Sequence, residues 1–101
     1  MPIYMTARFR IRAESREKCE QAIRQFVDYI AKNEIGKGTI HYTALQEPDD
    51  PTSFLHYFVF QDNAARERHG SSDAVNKFTT ALYPETLAPV RFTEYQVIAT
   101  A

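Results

Sequence analysis

Hydrophobic and polar residues alternate along the first segment of the chain. Residues 3–11 place an apolar side chain at every second position, with Tyr, Thr or Arg between them. This period of two predicts a β-strand with one apolar face. From Ser15 onward the apolar residues recur every three or four positions, the spacing of an amphipathic helix. We expect this helix to begin at Ser15, which suits an N-cap, and to end near Gly36, which favours helix termination.

The middle of the chain predicts a β-hairpin. Residues 39–46 and 54–60 are rich in β-branched and aromatic side chains, and residues 47–52, with the sequence EPDDPT, supply the prolines and aspartates of a turn. The segment 54–60 contains four aromatic residues and one histidine but no charged side chain. Such a strand is buried on both faces. We therefore expect helices to cover one face and a second protein chain to cover the other.

Two short helices are predicted in the last third of the chain. The first begins at Asp62, a favourable N-cap, and runs to about Arg68. The second begins at Ser71 or Ser72 and ends at Pro84, because proline cannot continue a helix. Apolar residues at helical spacing give this second helix one face that can pack against a sheet.

A final extended run over residues 90–100 completes the order β-α-β-β-α-β. This order predicts a single α+β domain over residues 1–101 with the ferredoxin-like split βαβ arrangement, a four-stranded antiparallel sheet with helices on one face. The other face of the sheet is then open, and we expect Tyr42, Tyr57 and Tyr95 to lie on it. An apolar face of this size is rarely left in water. We therefore predict a homodimer in which two sheets pack together.

Composition and charge exclude several classes of protein. A net charge of −1 gives no electrostatic basis for binding nucleic acid. No apolar run approaches the roughly 20 residues that span a membrane, and the N-terminal segment carries Arg8, Arg10 and Arg12 where a signal peptide is apolar. The one cysteine, Cys19, lies on the apolar stripe of the predicted helix and is expected to be a buried thiol. These features indicate a cytoplasmic protein.

Three histidines are the candidates for chemistry, because histidine titrates near neutral pH. His41 and His56 lie on neighbouring predicted strands, but no third ligand stands at a motif spacing, so we expect no metal site. For His56 we favour a structural histidine held by hydrogen bonds within the sheet, and for His41 both interpretations stay open. His69 ends a short helix and is either an exposed helix-terminating cation or a residue at the rim of an apolar pocket. Such a pocket suits a small aromatic ligand.

Three segments of the sequence resemble one known family. The segments GTIHY and PTSFLHYFVFQDNAARERHGSS, and the LYP that ends the last helix, are similar to the antibiotic biosynthesis monooxygenase family, in particular its small quinol-monooxygenase-like members. The resemblance extends over nearly the whole chain. It implies a dimeric α+β barrel with a pocket between helices and sheet. It also implies oxidation of phenolic or quinol substrates by O2 without flavin, metal or haem.

The resemblance suggests roles for individual residues. His69 would act as the base that takes the phenolic proton, and Tyr83 or His41 would donate a hydrogen bond to the developing oxyanion. The side chains expected to bind the substrate and exclude water are Phe26, Phe58, Phe60 and Phe78. Many family members carry Glu in place of Phe58, which leaves two alternatives open. In the first alternative the chain is a non-catalytic dimeric module that binds a small aromatic ligand. In the second it is an isomerase of a small signalling metabolite that uses His69 and His41 as an acid/base pair.

Overall fold

Four antiparallel strands and three α-helices form the fold in a computed structural model that describes residues 1–101. The elements are β1 Ile3–Arg10, α1 Arg16–Asn33, β2 Thr39–Gln46, β3 Ser53–Phe60, α2 Asn63–Gly70, α3 Asp73–Leu82 and β4 Arg91–Tyr95. The strands lie in the order β2-β3-β1-β4, so the two central strands are β3 and β1. All three strand pairs are antiparallel. The predicted α+β ferredoxin-like arrangement is confirmed, although β4 is shorter than the predicted run over residues 90–100.

The long helix α1 supplies much of the core on the inner face of the sheet. Its buried side chains are Cys19, Ile23, Phe26 and Ile30. These positions follow the helical spacing that the sequence predicts, and burial of each large apolar side chain stabilises the fold by about 1.5–3 kcal/mol. The helix ends at Asn33, and Gly36 in the connection to β2 adopts a φ of 81°, a conformation that glycine accepts without strain. None of the helices combines the length and the apolar character that a membrane crossing requires.

Side-chain caps fix the starts of the two short helices. Asp62 accepts a hydrogen bond from the backbone N–H of Ala65 at 2.9 Å, which confirms the predicted cap of α2. The cap of α3 is Ser72, whose hydroxyl accepts from the N–H of Val75 at 3.2 Å. Only Ser71 and Ser72 separate the two helices.

A β-bulge in β2 decides which side chains of this strand face the helices. Thr39 pairs with Phe60, and His41 pairs with Val59, the residue adjacent to Phe60 in β3. Ile40 therefore has no partner and is the extra residue of the bulge. The bulge inverts the alternation that follows it. Tyr42 consequently faces the helices, and the prediction that it lies on the open face is wrong.

A buried carboxylate joins the start of α1 to the segment before β4. Glu85 accepts hydrogen bonds from Arg12 at 2.6 Å, from Ser15 at 2.5 Å and from Lys18 at 3.2 Å. Ser15 precedes α1 as predicted, but its hydroxyl donates to this carboxylate and does not cap the helix. These bonds lower the pKa of Glu85 to about 2, with the Ser15 bond the largest cause, so the group is ionised at neutral pH.

Candidate functional site

An apolar cavity of about 300 Å³ lies between the inner face of the sheet and helices α2 and α3. Of the 18 residues that line it, 13 are hydrophobic. The four aromatic side chains predicted to bind substrate, Phe26, Phe58, Phe60 and Phe78, all lie in this wall. Phe26 and Phe78 stack in parallel with ring centroids 4.4 Å apart. A volume near the lower end of the range of about 300–1,000 Å³ for ligand pockets suits one small aromatic molecule.

His69 lies in the wall of this cavity, at the last turn of α2. Its ring centroid is 5.0 Å from that of Phe60 and 5.8 Å from that of Phe26, so the imidazole belongs to the aromatic wall. Its Nδ1 lies 2.8 Å from Oε1 of Glu34, and the two side chains are only 12% and 15% exposed. The structure therefore places His69 at the cavity and not in open solvent.

Glu34 sets the tautomer of His69. Burial alone would raise the pKa of Glu34, but the hydrogen bond and charge of His69, together with a hydrogen bond from Thr39 at 2.9 Å, hold this pKa below its usual range. An ionised carboxylate only accepts hydrogen bonds, so Nδ1 of His69 is the donor. In the neutral imidazole Nε2 is then the nitrogen that can accept a proton. This carboxylate–imidazole pair is the arrangement of a general base with its orienting group.

A second histidine, His56, is buried in the same wall. It is 1% exposed, and its Nδ1 lies 2.7 Å from the hydroxyl oxygen of Tyr42. Burial lowers the pKa of His56 to about 4 and raises that of Tyr42, so both side chains are neutral near pH 7. Our interpretation of His56 as a sheet histidine held by a hydrogen bond agrees with this contact, but the sequence did not indicate that the residue lines a cavity.

Two polar side chains lie where the cavity approaches solvent. Tyr83 lines the cavity and is 47% exposed, so this residue borders both the cavity and solvent. Arg66 lines it from α2, where it donates to Glu94 of β4 at 3.0 Å and to Asn63 at 2.6 Å. Of the predicted catalytic residues, Tyr83 and His69 therefore share the cavity.

His41 lies on the other face of the sheet. Its Nε2 is 2.6 Å from the hydroxyl of Thr43, and its ring lies 5.5 Å from that of Tyr57. The bulge at Ile40 is the physical reason, because it turns His41 away from the helices. The predicted contact of His41 with the ligand is corrected accordingly, since within one chain the sheet separates His41 from the cavity.

Sequence reasoning missed Glu34 and the position of His56. Glu34 follows the last turn of α1 and reads as an ordinary surface carboxylate, because its partner is 35 positions further along the chain. For His56 the alternation of Phe54 and Phe58 was a usable signal, since all three share one face of β3. No three His, Cys, Asp or Glu side chains lie close enough together to hold a metal ion.

Comparisons with known proteins agree on one family. A family model described as antibiotic biosynthesis monooxygenase matches residues 2–81. A comparison with curated proteins found no match.

Several solved structures share the fold of the whole chain. A protein from Nitrosomonas europaea assigned to the antibiotic biosynthesis monooxygenases has a TM-score of 0.86 at 15% identity, over 96% of this chain and 90% of that one. SnoaB, a cofactor-independent oxygenase from Streptomyces nogalater, has a TM-score of 0.81 at 18% identity, over 98% and 95%. Rv0793 from Mycobacterium tuberculosis has a TM-score of 0.76 at 19% identity, over 100% and 99%. Identities this low indicate a common fold alone. Because the family model covers most of its length, the chain belongs to the antibiotic biosynthesis monooxygenase family.

Proposed function

We propose that this protein is a cofactor-independent monooxygenase that oxidises a small phenolic or quinol substrate with O2. The observation that carries the proposal is the Glu34–His69 pair in the wall of an apolar cavity of about 300 Å³. This pair supplies a base, and the aromatic wall supplies a dry site of the right size. The shared fold of SnoaB, a cofactor-independent oxygenase, supports the reaction class.

The base acts on the substrate hydroxyl. With Nδ1 of His69 committed to Glu34, Nε2 takes the phenolic proton, and the carboxylate stabilises the imidazolium that forms. The resulting phenolate is electron-rich enough to pass one electron to O2, whereas the neutral phenol is not. His69 is the catalytic base in this proposal, and Glu34 is the residue that positions it.

The oxygen chemistry then balances without a cofactor. After the first electron transfer, the superoxide and the substrate radical join to form a carbon–oxygen bond, and the imidazolium returns its proton to the peroxide. Loss of water breaks the oxygen–oxygen bond. For a hydroquinone, the ring supplies all four electrons, and one oxygen atom stays in the hydroxyquinone while the other leaves as water. The wall of phenylalanines keeps bulk water away from these intermediates.

Tyr83 at the cavity mouth remains the candidate donor to a substrate oxygen. The residue borders both the cavity and solvent, so its hydroxyl could donate to a substrate oxygen near the mouth and exchange its proton with water. His41 no longer supports the isomerase alternative, since it and His69 lie on opposite faces of the sheet.

We also propose a homodimer through the open face of the sheet. Leu45, Tyr57 and Tyr95 lie on this face and are 49%, 36% and 56% exposed. They lie on β2, β3 and β4, and Tyr95 pairs with Tyr4 of the intervening strand β1, so large apolar side chains occur across the width of this face. A second copy of the chain, packed sheet to sheet, covers it.

Oxygen consumption with a panel of quinols tests the proposed reaction. His69→Ala should lower the rate above the uncatalysed background by about 10²–10⁴-fold, the usual contribution of a positioned base. Glu34→Gln should lower it about 10- to 100-fold, because a mostly buried charge-assisted hydrogen bond is worth about 1.5–3 kcal/mol. The double variant should be no slower than His69→Ala, since Glu34 acts only through the histidine.

Two further observations separate a positioning role from a structural one. Glu34→Gln should move the acid limb of the pH–rate profile to lower pH than in the wild type, because the amide no longer stabilises the imidazolium. Asp28→Asn removes an exposed carboxylate of α1, paired with Lys32, and should leave the rate unchanged. Binding of quinols without oxygen consumption by the wild type would contradict the proposal and favour the non-catalytic binding module.

A further inference from the structure

Arg66 is the one permanently charged side chain in the wall of the cavity. The remaining wall is apolar except for two histidines, a glycine and a threonine, and it contains no carboxylate. His69 carries a charge only while it holds a second proton. A ligand that enters the cavity therefore meets one fixed positive charge in the wall and no fixed negative charge.

The two basic residues of α2 that line the cavity contact different strands. The ring centroid of His69 lies 5.0 Å from that of Phe60 on β3. Nη1 of Arg66 lies 3.9 Å from Sδ of Met5 on β1 and donates to Glu94 of β4 at 3.0 Å. Because the strand order is β2-β3-β1-β4, Arg66 lies toward the β4 edge of the cavity and His69 lies over β3.

The guanidinium of Arg66 keeps hydrogen-bond donors for a ligand. Nη1 donates to Glu94 and Nη2 donates to Asn63 at 2.6 Å, whereas Nε makes no hydrogen bond within the chain. The side chain is 39% exposed, so a ligand at the mouth can reach it. A planar guanidinium suits a carboxylate in particular, because it can bind both oxygens through two parallel N–H···O bonds.

Glu94 occupies Arg66 with a carboxylate that a ligand can replace. Glu94 pairs across the sheet with Met5, a residue of the cavity wall, so its side chain lies on the same face of the sheet as the cavity. The Glu94 side chain is 60% exposed, and an ion pair this exposed contributes little to stability. Exchange of Glu94 for a ligand carboxylate therefore costs the fold little.

We propose that Arg66 binds a carboxylate substituent of the aromatic ligand at the mouth of the cavity, in exchange for Glu94. The substrate class narrows from phenols in general to phenols that carry a carboxylate on a short side chain. Arg66 is then a specificity-determining residue. The inference rests on the proposed function for the reaction at the phenolic hydroxyl.

A matched pair of ligands tests this site under anaerobic conditions, where no turnover takes place. The compounds 3-(4-hydroxyphenyl)propanoate and 3-(4-hydroxyphenyl)propanamide have nearly the same size and differ in charge. In NMR titrations the wild type should bind the propanoate more tightly by a factor of about five to ten, between the worth of an exposed ion pair and that of a buried charge-assisted hydrogen bond. Added NaCl should reduce this preference, because salt screens charges near solvent.

Three variants assign the preference to Arg66. Arg66→Gln should abolish it and leave the affinity for the propanamide near that of the wild type. Glu94→Gln should increase it about two- to five-fold, because the competing carboxylate is removed. Arg68→Gln is the matched control. It makes the same change in net charge by removing an exposed guanidinium of α2 that does not line the cavity, and it should keep the preference.

Several results would overturn the proposal. Equal affinity of the wild type for the two compounds, a preference that survives Arg66→Gln, an equal loss in Arg68→Gln, or no binding of either compound each contradicts it. If Arg66→Gln fails to fold, Glu94→Gln still decides, because a preference that does not increase there shows that the ligand does not compete for Arg66.

The outcome is separable from that of the proposed reaction. A carboxylate preference without oxygen consumption would uphold this inference and defeat the proposed oxygenase. Oxygen consumption without the preference would do the reverse.

Discussion

The burial of His56 predicts that acid destabilises the protein in a defined pH window. Burial lowers the pKa of this side chain from 6.5 to about 4, so the folded protein binds the proton less readily than the unfolded chain. The stability that follows from this difference is fully present above pH 6.5 and is lost as the pH falls through 4. Glu85 acts in a separate window, because its pKa lies near 2 in the folded protein.

The magnitude follows from the two pKa values of His56. Each pKa unit corresponds to about 1.4 kcal/mol, so a change from 6.5 to about 4 amounts to about 3 kcal/mol between pH 7 and pH 4. Little discount for solvent is needed, because the ring is 1% exposed. A loss of this size is a large fraction of the 5–15 kcal/mol that holds a typical domain folded.

Urea unfolding, followed by circular dichroism at a series of pH values, measures this contribution. The free energy of unfolding of the wild type should fall by about 3 kcal/mol more than that of His56→Leu between pH 7 and pH 4. The comparison at one protein concentration cancels the contributions of the other titrating groups. Parallel pH dependences of the two proteins would refute the claim that His56 is buried and neutral.

Three further predictions concern stability and assembly. Glu85→Gln should lower the melting temperature at pH 7 and flatten the loss of stability between pH 4.5 and pH 2, and an unchanged acid limb would contradict its depressed pKa. Phe78→Ala should lower the free energy of unfolding in urea by about 3 kcal/mol, the low end for a buried phenylalanine, because the side chain stacks on Phe26 but also borders the cavity. A loss below about 1 kcal/mol would show that this wall is loosely packed. Tyr95→Asp should weaken the proposed homodimer in sedimentation equilibrium, whereas an unchanged dissociation constant would place the contact elsewhere.

Most of the fold could be predicted from the sequence, because hydrophobic residues recur at a clear strand or helix spacing in most of its elements. The alternation in β1 and the apolar stripe of α1 each have one structural interpretation, and both agree with the structure. The extent of β4 could not be predicted in this way. Its sequence stays apolar beyond Tyr95, but the pairing with β1 ends there, at Tyr4. Strand length is set by the partner strand, which a single segment does not reveal.

The candidate site was predictable only in part, for two physical reasons. His69 and the phenylalanines follow from helix and strand positions, whereas the single extra residue at Ile40 reverses the faces of His41 and Tyr42. Such a bulge leaves no clear mark in a strand that is rich in β-branched and aromatic residues throughout. The pairing of Glu34 with His69 is a tertiary contact between distant segments, and no local pattern encodes it.

Isotopic oxygen tests the central claim most directly. The wild type, supplied with a 1,4-hydroquinone under ¹⁸O2, should form a hydroxyquinone that carries one labelled oxygen atom, as detected by mass spectrometry. His69→Ala should reduce the rate of this labelling by about 10²–10⁴-fold. His41→Ala should form the labelled product at the wild-type rate, because its side chain lies on the other face of the sheet. An unlabelled product, or equal rates of labelling in wild type and His69→Ala, would contradict a monooxygenase that works through this histidine.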